Sequence, residues 1–241
     1  MSETGHVQAD HDKTMLRRFW QLHRHLSTIW IFEMNAENQR SRKERAPRLS
    51  PGARQAQLRA ITLELLAEHG LGHTNHTMIA KRAGVSLPTM MHYYADHDDL
   101  VRDVLNEVAN FLLHGIATRA AAEQVDPLAA LEEMLVSLAR SIDTHQDVVR
   151  TWLDWSTATR HPTWPRYIAF REAACAVVGK KLKEGKADGT ISKDLVVEEA
   201  AEVVVGLAHM IAQMRFTGST VAQTRLAIQH LLTGYLGGKP R

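Results

Sequence analysis

A single cysteine, Cys175, leaves no partner for an intrachain disulfide and cannot build a Cys-based zinc site alone. The fold must therefore be held by packing, and a reducing cytoplasm is the expected compartment. Seven prolines and 14 glycines among 241 residues are too few for a collagen-like or low-complexity chain. No run of about 18 apolar residues is present, which excludes a helix that spans a membrane, and no membrane partner is expected. Alternating strand patterns and internal repeats are also missing. What remains is 44% apolar and 23% charged, enough for a sizeable core in one or two domains.

The net charge is only +2, but it is unevenly spread. Residues 40–94 carry nine basic and three acidic side chains, while the segments on either side are mildly acidic. A compact basic segment suits contact with a polyanion, because clustered Lys and Arg become productive by neutralising phosphates. A solvated charged face is the alternative that charge alone leaves open.

Residues 1–48 show no sustained period. Their apolar patch, from Phe19 to Phe32, is broken by Arg17, Arg18, His23, Arg24 and His25, and no small-residue cleavage site follows, which argues against a signal peptide. A flexible basic extension is expected, with Met34 as an alternative start. From residue 50 onward the pattern is helical. Ser50-Pro51 caps a helix over about 51–69. Asn75 and Ser86 cap two short helices on either side of Gly84. Asp96, Asp98 and Asp99 open a long helix over about 96–119, where their charge suits the dipole. Later helices are expected over about 127–144, 147–159, 164–184, 195–216 and 221–236. The fold class is all-α.

The informative stretch is Ile79-Ala80-Lys81-Arg82-Ala83-Gly84-Val85-Ser86-Leu87-Pro88-Thr89-Met90-Met91-His92-Tyr93-Tyr94. Ile79, Ala80 and Ala83 pack inward, Gly84 permits a left-handed turn, Val85 plugs the angle and Ser86 starts the second helix. This is helix-turn-helix grammar. Leu87, Pro88, Met91 and His92 should then face outward, with Met90 and Tyr94 inward. An ordinary core hairpin is the competing reading, disfavoured by the basic arm of Arg40, Arg42, Lys43, Arg45 and Arg48, which can reach phosphates or the minor groove.

At these residues the sequence resembles the TetR family of transcriptional regulators, with the pattern I-A-x-x-A-G-V-S-x-x-T followed by an aliphatic residue and Y-x-Y-F. Met91 departs from it where an aromatic often stands, Tyr94 replaces phenylalanine, and His97 replaces a lysine that grips the backbone. Leu49-Ser50-Pro51 and the string Trp152-Leu153-Asp154-Trp155-Ser156-Thr157-Ala158-Thr159-Arg160, followed by Trp164-Pro165, resemble the LuxR/HapR-type branch of that family, the quorum-sensing master regulators of vibrios. The resemblance covers most of residues 48–236. It implies a three-helix DNA-binding domain over 49–95 and a helical effector-binding and dimerisation domain over 96–241. It also implies double-stranded DNA as partner, with contacts from Arg45, Arg48, Thr77, Ser86, Leu87, Pro88, Thr89, Met91, His92, Tyr93 and His97. Binding should strengthen as His92 and His97 are protonated.

Trp152 and Trp155, three apart, share one helix face. Core packing is the plain reading; with Phe111, Leu112 and Met134 they could instead wall a cavity for a small apolar effector. Val203, Leu207, Met210 and Met214, then Leu226, Leu231 and Leu232, form stripes on the last two helices. They could be buried within one chain, but the resemblance implies that they build a homodimer. Two-fold symmetry suits a short recognition helix, since two copies about one DNA turn apart read a palindrome.

Catalysis has little support. His73 and His76 lack further ligands at workable spacing, and His97-Asp98 is explained by helix capping. Neither a nucleophile elbow nor a phosphate-binding glycine loop is present, and Cys175 has no evident base. No enzyme activity, metal or cofactor is expected.

Overall fold

The computed structural model describes residues 49–124 and 126–237. Arg45, Arg48 and the rest of the basic extension, with the alternative start at Met34, lie outside the described residues. Among the described residues the regular structure is helical, with one isolated β-bridge between Ile191 and Gly237. The helices are α1 (Pro51–His69), α2 (His76–Ala83), α3 (Leu87–Tyr93), α4 (His97–Asn110), a π-helical stretch (Phe111–Thr118), α5 (Arg119–Glu123), α6 (Pro127–Ser141), α7 (Gln146–Thr157), α8 (Trp164–Asp188), α9 (Val197–Phe216) and α10 (Val221–Leu236). The described residues from Ser50 onward form one compact unit.

The starts of these helices follow from local chemistry. Ser50 Oγ accepts from the Ala53 N–H at 3.2 Å, Asn75 Oδ1 from the Met78 N–H at 3.0 Å, and Ser86 Oγ from the Thr89 N–H at 3.2 Å. Asp96 takes the Asp98 N–H at 2.9 Å, and Thr220 with Gln223 closes a capping box at α10. Each satisfies a donor that the first turn leaves unpaired.

Several helix ends shift by one to three residues, as where α6 stops at Ser141 rather than near 144 and α9 starts at Val197 rather than near 195, and two further differences have a structural cause. The single helix expected over 96–119 is one continuous run that changes to π geometry at Phe111 and returns to α at Arg119. The helix expected to end at residue 184 continues through Gly185 to Asp188, because Gly185 is kept for a close approach rather than a stop: a Cβ there would lie 2.6 Å from Ile191 Cδ1.

Two apolar cores result. The first joins Leu58, Leu65 and Leu66 of α1, Ile79 of α2, Met90 of α3, Leu100 and Leu105 of α4, and Val149, Trp152 and Trp155 of α7. The second joins Leu131 and Leu135 of α6, Leu182 of α8, Val204 and Ile211 of α9, and Ile228 and Leu232 of α10. Full burial of each such side chain is worth about 1.5–3 kcal/mol, so α7 is bound to the three N-terminal helices by the same force that holds them to one another.

Candidate nucleic-acid interface

α2 ends at Gly84, whose φ of +64° is left-handed and whose N–H returns to the last turn, so the chain reverses within two residues. Val85 N–H donates to the Ala80 carbonyl at 3.0 Å, and α3 begins at once after Ser86. Met90 and Tyr94 are buried beneath α3. Leu87 is 39% and Met91 47% exposed, and Pro88 and His92 are exposed beside them. The outward face expected from sequence is therefore present.

Around it, Ser86 is exposed, and Thr89 is half-buried with its hydroxyl bonded to Ser86 Oγ at 2.8 Å. Tyr93 is half-buried and meets His92 edge-on at 5.3 Å. Thr77 is exposed in the first turn of α2. His97 opens α4, where Nε2 lies 3.3 Å from Thr74 Oγ1 and its ring meets His76 edge-on at 5.6 Å. Burial, and secondarily the neighbouring His76, lower the His97 pKa below the usual histidine value, against a smaller opposing pull from Asp98. His76 Nε2 is buried without a partner.

The departure at Tyr94 has a structural reason that the motif does not reveal. Its ring is buried in the first core, and its hydroxyl accepts from Arg59 Nη1 at 3.2 Å and donates to Asp103 Oδ2 at 3.2 Å. Arg59 also holds Glu107 at 2.5 Å, so one knot ties α1 to α4 beneath the turn. The phenol, above all, raises the Arg59 pKa. On the outer side, Arg82 of α2 forks onto Glu68 of α1 at 2.8 and 3.1 Å.

A cavity of about 80 Å³ lies farther along the chain, where the π-helical stretch, α6, α7, α8 and α9 meet. Leu112, Met134 and Trp152 line it as expected. Phe111 and Trp155 do not. Phe111 packs on the His145 ring at 4.5 Å, and Trp155 is core, its Nε1–H donating to the Thr163 carbonyl at 3.3 Å. Sequence reading missed Tyr167, Phe170, Arg171, Val178, Val204 and His209. Arg171 is ion-paired with Glu202, and Tyr167 Oη lies 3.2 Å from His209 Nε2. Burial pulls the His209 pKa down and pushes the Tyr167 pKa up, so both are neutral near pH 7.

On α9 and α10 the expected stripes divide. Val203, Leu226 and Leu231 are 42%, 54% and 40% exposed, with Tyr235 open beside them. Leu207, Met210 and Met214 are half-buried, and the first two pack partly on the second core, while Leu232 is fully inside that core. Among the described residues no group of three or more His, Cys, Asp or Glu side chains is placed to hold a metal ion, and no helix is long and apolar enough to cross a membrane.

Residues 58–104, from α1 through most of α4, match the family described as bacterial regulatory proteins, tetR family. The chain is 28% identical over 193 residues to the HTH-type transcriptional regulator LuxR of Vibrio harveyi, covering 78% of this chain and 90% of that protein. Its fold is similar to a TetR-like transcriptional regulator from Rhodococcus sp. RHA1, with TM-score 0.65 and 17% identity over 78% of this chain and 98% of the other. It is also similar to the transcriptional regulator FadR of Bacillus subtilis, solved in complex with stearoyl-CoA, with TM-score 0.64 and 17% identity over 74% of this chain and 98% of that one. The helices from α1 to α4 thus match the tetR family of bacterial regulatory proteins, and over most of its length the chain is similar to an HTH-type transcriptional regulator.

Proposed function

We propose that the chain binds a palindromic operator as a homodimer in the cytoplasm and releases it when a small apolar effector enters the cavity. Residues 49–95 contact DNA, and residues 96–241 dimerise and sense. The observation that carries this reading is α3: Leu87, Pro88, Met91 and His92 point outward while Met90 and Tyr94 anchor the helix from below. Leu87 and Met91 suit thymine methyl groups, His92 suits a base-edge acceptor, and Ser86, Thr89, Tyr93, Thr77 and His97 suit phosphates or neighbouring bases. Arg45 and Arg48 supply sequence-independent phosphate contacts.

Support for the dimer is the pair of apolar faces on α9 and α10, open in the single chain. Support for an effector is the apolar cavity, with Leu112, Met134 and Trp152 in its wall. A ligand that prefers the conformer with misaligned recognition helices lowers operator affinity by that preference. Repression is the default sign. Quorum-dependent control is what the likeness to the LuxR/HapR-type branch adds.

Selection of duplexes from a random pool by the purified protein, followed by fluorescence anisotropy over a salt series, tests the reading. The expected result is a palindrome bound with steep salt dependence. A pool that yields no enriched duplex overturns it. Changing Thr89 or His92 should alter the enriched sequence, whereas neutralising Arg45 and Arg48 should weaken all DNA and flatten the salt slope.

A further inference from the structure

α7 runs between the cavity and the three operator helices, and neighbouring residues on it serve both sides. Trp152 lines the cavity and rests on the His209 ring at 4.3 Å. Two positions later, Asp154 Oδ2 accepts the Leu71 backbone N–H at 2.8 Å, a contact across 83 residues of sequence. A carboxylate bonded to a backbone N–H is a charge-assisted contact, stronger than the neutral kind.

The turn that Asp154 holds is built around it. Gly70 ends α1 with φ +84°, and a Cβ added there would lie 3.3 Å from the same Asp154 oxygen. Leu71 is buried in the first core, and four residues later Asn75 caps α2. From Asn75 the backbone passes through α2 and Gly84 into α3. The seat of the α1–α2 turn on α7 therefore fixes where the helix-turn-helix pair starts. One turn before Asp154, the Arg150 guanidinium lies 4.7 Å from the centre of the Phe216 ring, so the same helix is also held to the end of α9.

We propose that Asp154 is the positioning residue through which the state of the cavity reaches the recognition helix. α7 is a packed rod. An occupant that displaces Trp152 carries Asp154 with it, and the Leu71 N–H follows, which tilts α2 and α3 together. This rests on the operator-binding reading above. Coupling of this kind is reciprocal, so operator binding must in turn steady α7.

The experiment uses the full chain, a duplex enriched by selection, and D154A and D154N variants, each alone and combined with A208L. Ala208 lines the cavity, and leucine there stands in for an occupant; A174L, from α8, is the second filler should A208L fold poorly. Anisotropy gives operator affinity, amide exchange by mass spectrometry follows residues 146–157, and thermal melting tracks folding. In the parent, operator slows exchange in α7, and the filler weakens binding by about 10-fold, within the range of typical coupling. D154A is expected to weaken operator binding about 5-fold beyond what its change in melting accounts for, to cancel the effect of the filler, and to leave α7 exchange indifferent to operator. D154N keeps an oxygen that accepts the Leu71 N–H and should preserve the coupling. The proposal is overturned if D154A behaves like the parent, if its affinity loss only follows its loss of folded protein, or if neither filler alters binding in the parent. A parent that enriches no duplex overturns the operator reading instead.

Discussion

Tyr94 and His97 illustrate how single side chains depart from a family pattern without breaking its logic. The Tyr94 hydroxyl is a bridge between Arg59 and Asp103, so Y94F keeps the packed ring and deletes only the bridge. The expected cost is about 1 kcal/mol in urea unfolding, with operator specificity unchanged. A Y94F protein as stable as the parent would make the bridge irrelevant. His97 responds to pH with two opposite signs. Burial, with His76 second, lowers its folded-state pKa below the ordinary value near 6.5, so the unfolded chain takes up the proton first as pH falls. The stability contributed by the neutral ring is whole above about pH 6.5, is lost as pH drops from there to the depressed folded value, and changes no further below it. Operator phosphates next to His97 would act against burial, so binding takes up a proton and affinity rises over the same interval. Melting and anisotropy between pH 7.5 and pH 5.5 should therefore move in opposite directions in the parent. H97Q should reduce the slope of both, with His209 left to supply a residual acid sensitivity of stability, because burial lowers its pKa as well. An affinity that ignores pH would remove His97 from the operator contacts.

At the scale of elements, what was legible in sequence was whatever depends on near neighbours. Ser50, Asn75, Ser86 and Asp96 announce helix starts because a cap bonds two or three residues away. Gly84 announces the turn because its left-handed φ excludes most side chains. A Cβ at that position meets nothing within 4 Å, so G84A should cost about 1 kcal/mol through backbone strain alone. G84N should cost less, since asparagine visits that region more readily. Thermal melting of the two variants checks the order; equal stability of G84A and the parent would show that the turn can relax. The π-helical stretch was not legible, because nothing in Phe111–Thr118 encodes an i→i+5 bond; it arises where the long helix passes the cavity, and π segments often mark such places. The cavity was only half legible for a related reason. Trp152 and Trp155 have equal chemistry, but three residues of helix rotate the second about 60° from the first, which sends it into the core. Tyr167, Phe170 and His209 reach the cavity from helices that only tertiary packing brings there.

In the proposed dimer one length is set by no single chain, the distance between the two recognition helices. α3 has seven residues and offers few outward side chains, too few to select a site in a genome alone. Pairing of α9 and α10 with a second copy would fix the separation, and the exposed Val203, Leu226 and Leu231 offer an apolar face for it. Charges at the centre of that face should therefore act on DNA from a distance. L226E with L231E is expected to shift sedimentation from dimer to monomer while leaving the fold intact, since neither residue belongs to the buried core. Its operator affinity should fall by more than about 100-fold, toward that of one half-site, because the second helix no longer binds within the same complex. A companion change in the DNA separates loss of pairing from damage to α3. Inserting about 5 base pairs between the half-sites turns one of them to the opposite side of the duplex, and should weaken the parent as much as the double substitution does. The same insertion should leave the monomeric variant unaffected, since it engages one half-site at a time. If the insertion weakens both proteins equally, the two recognition helices are not held in fixed register, and α9 and α10 are not what joins them.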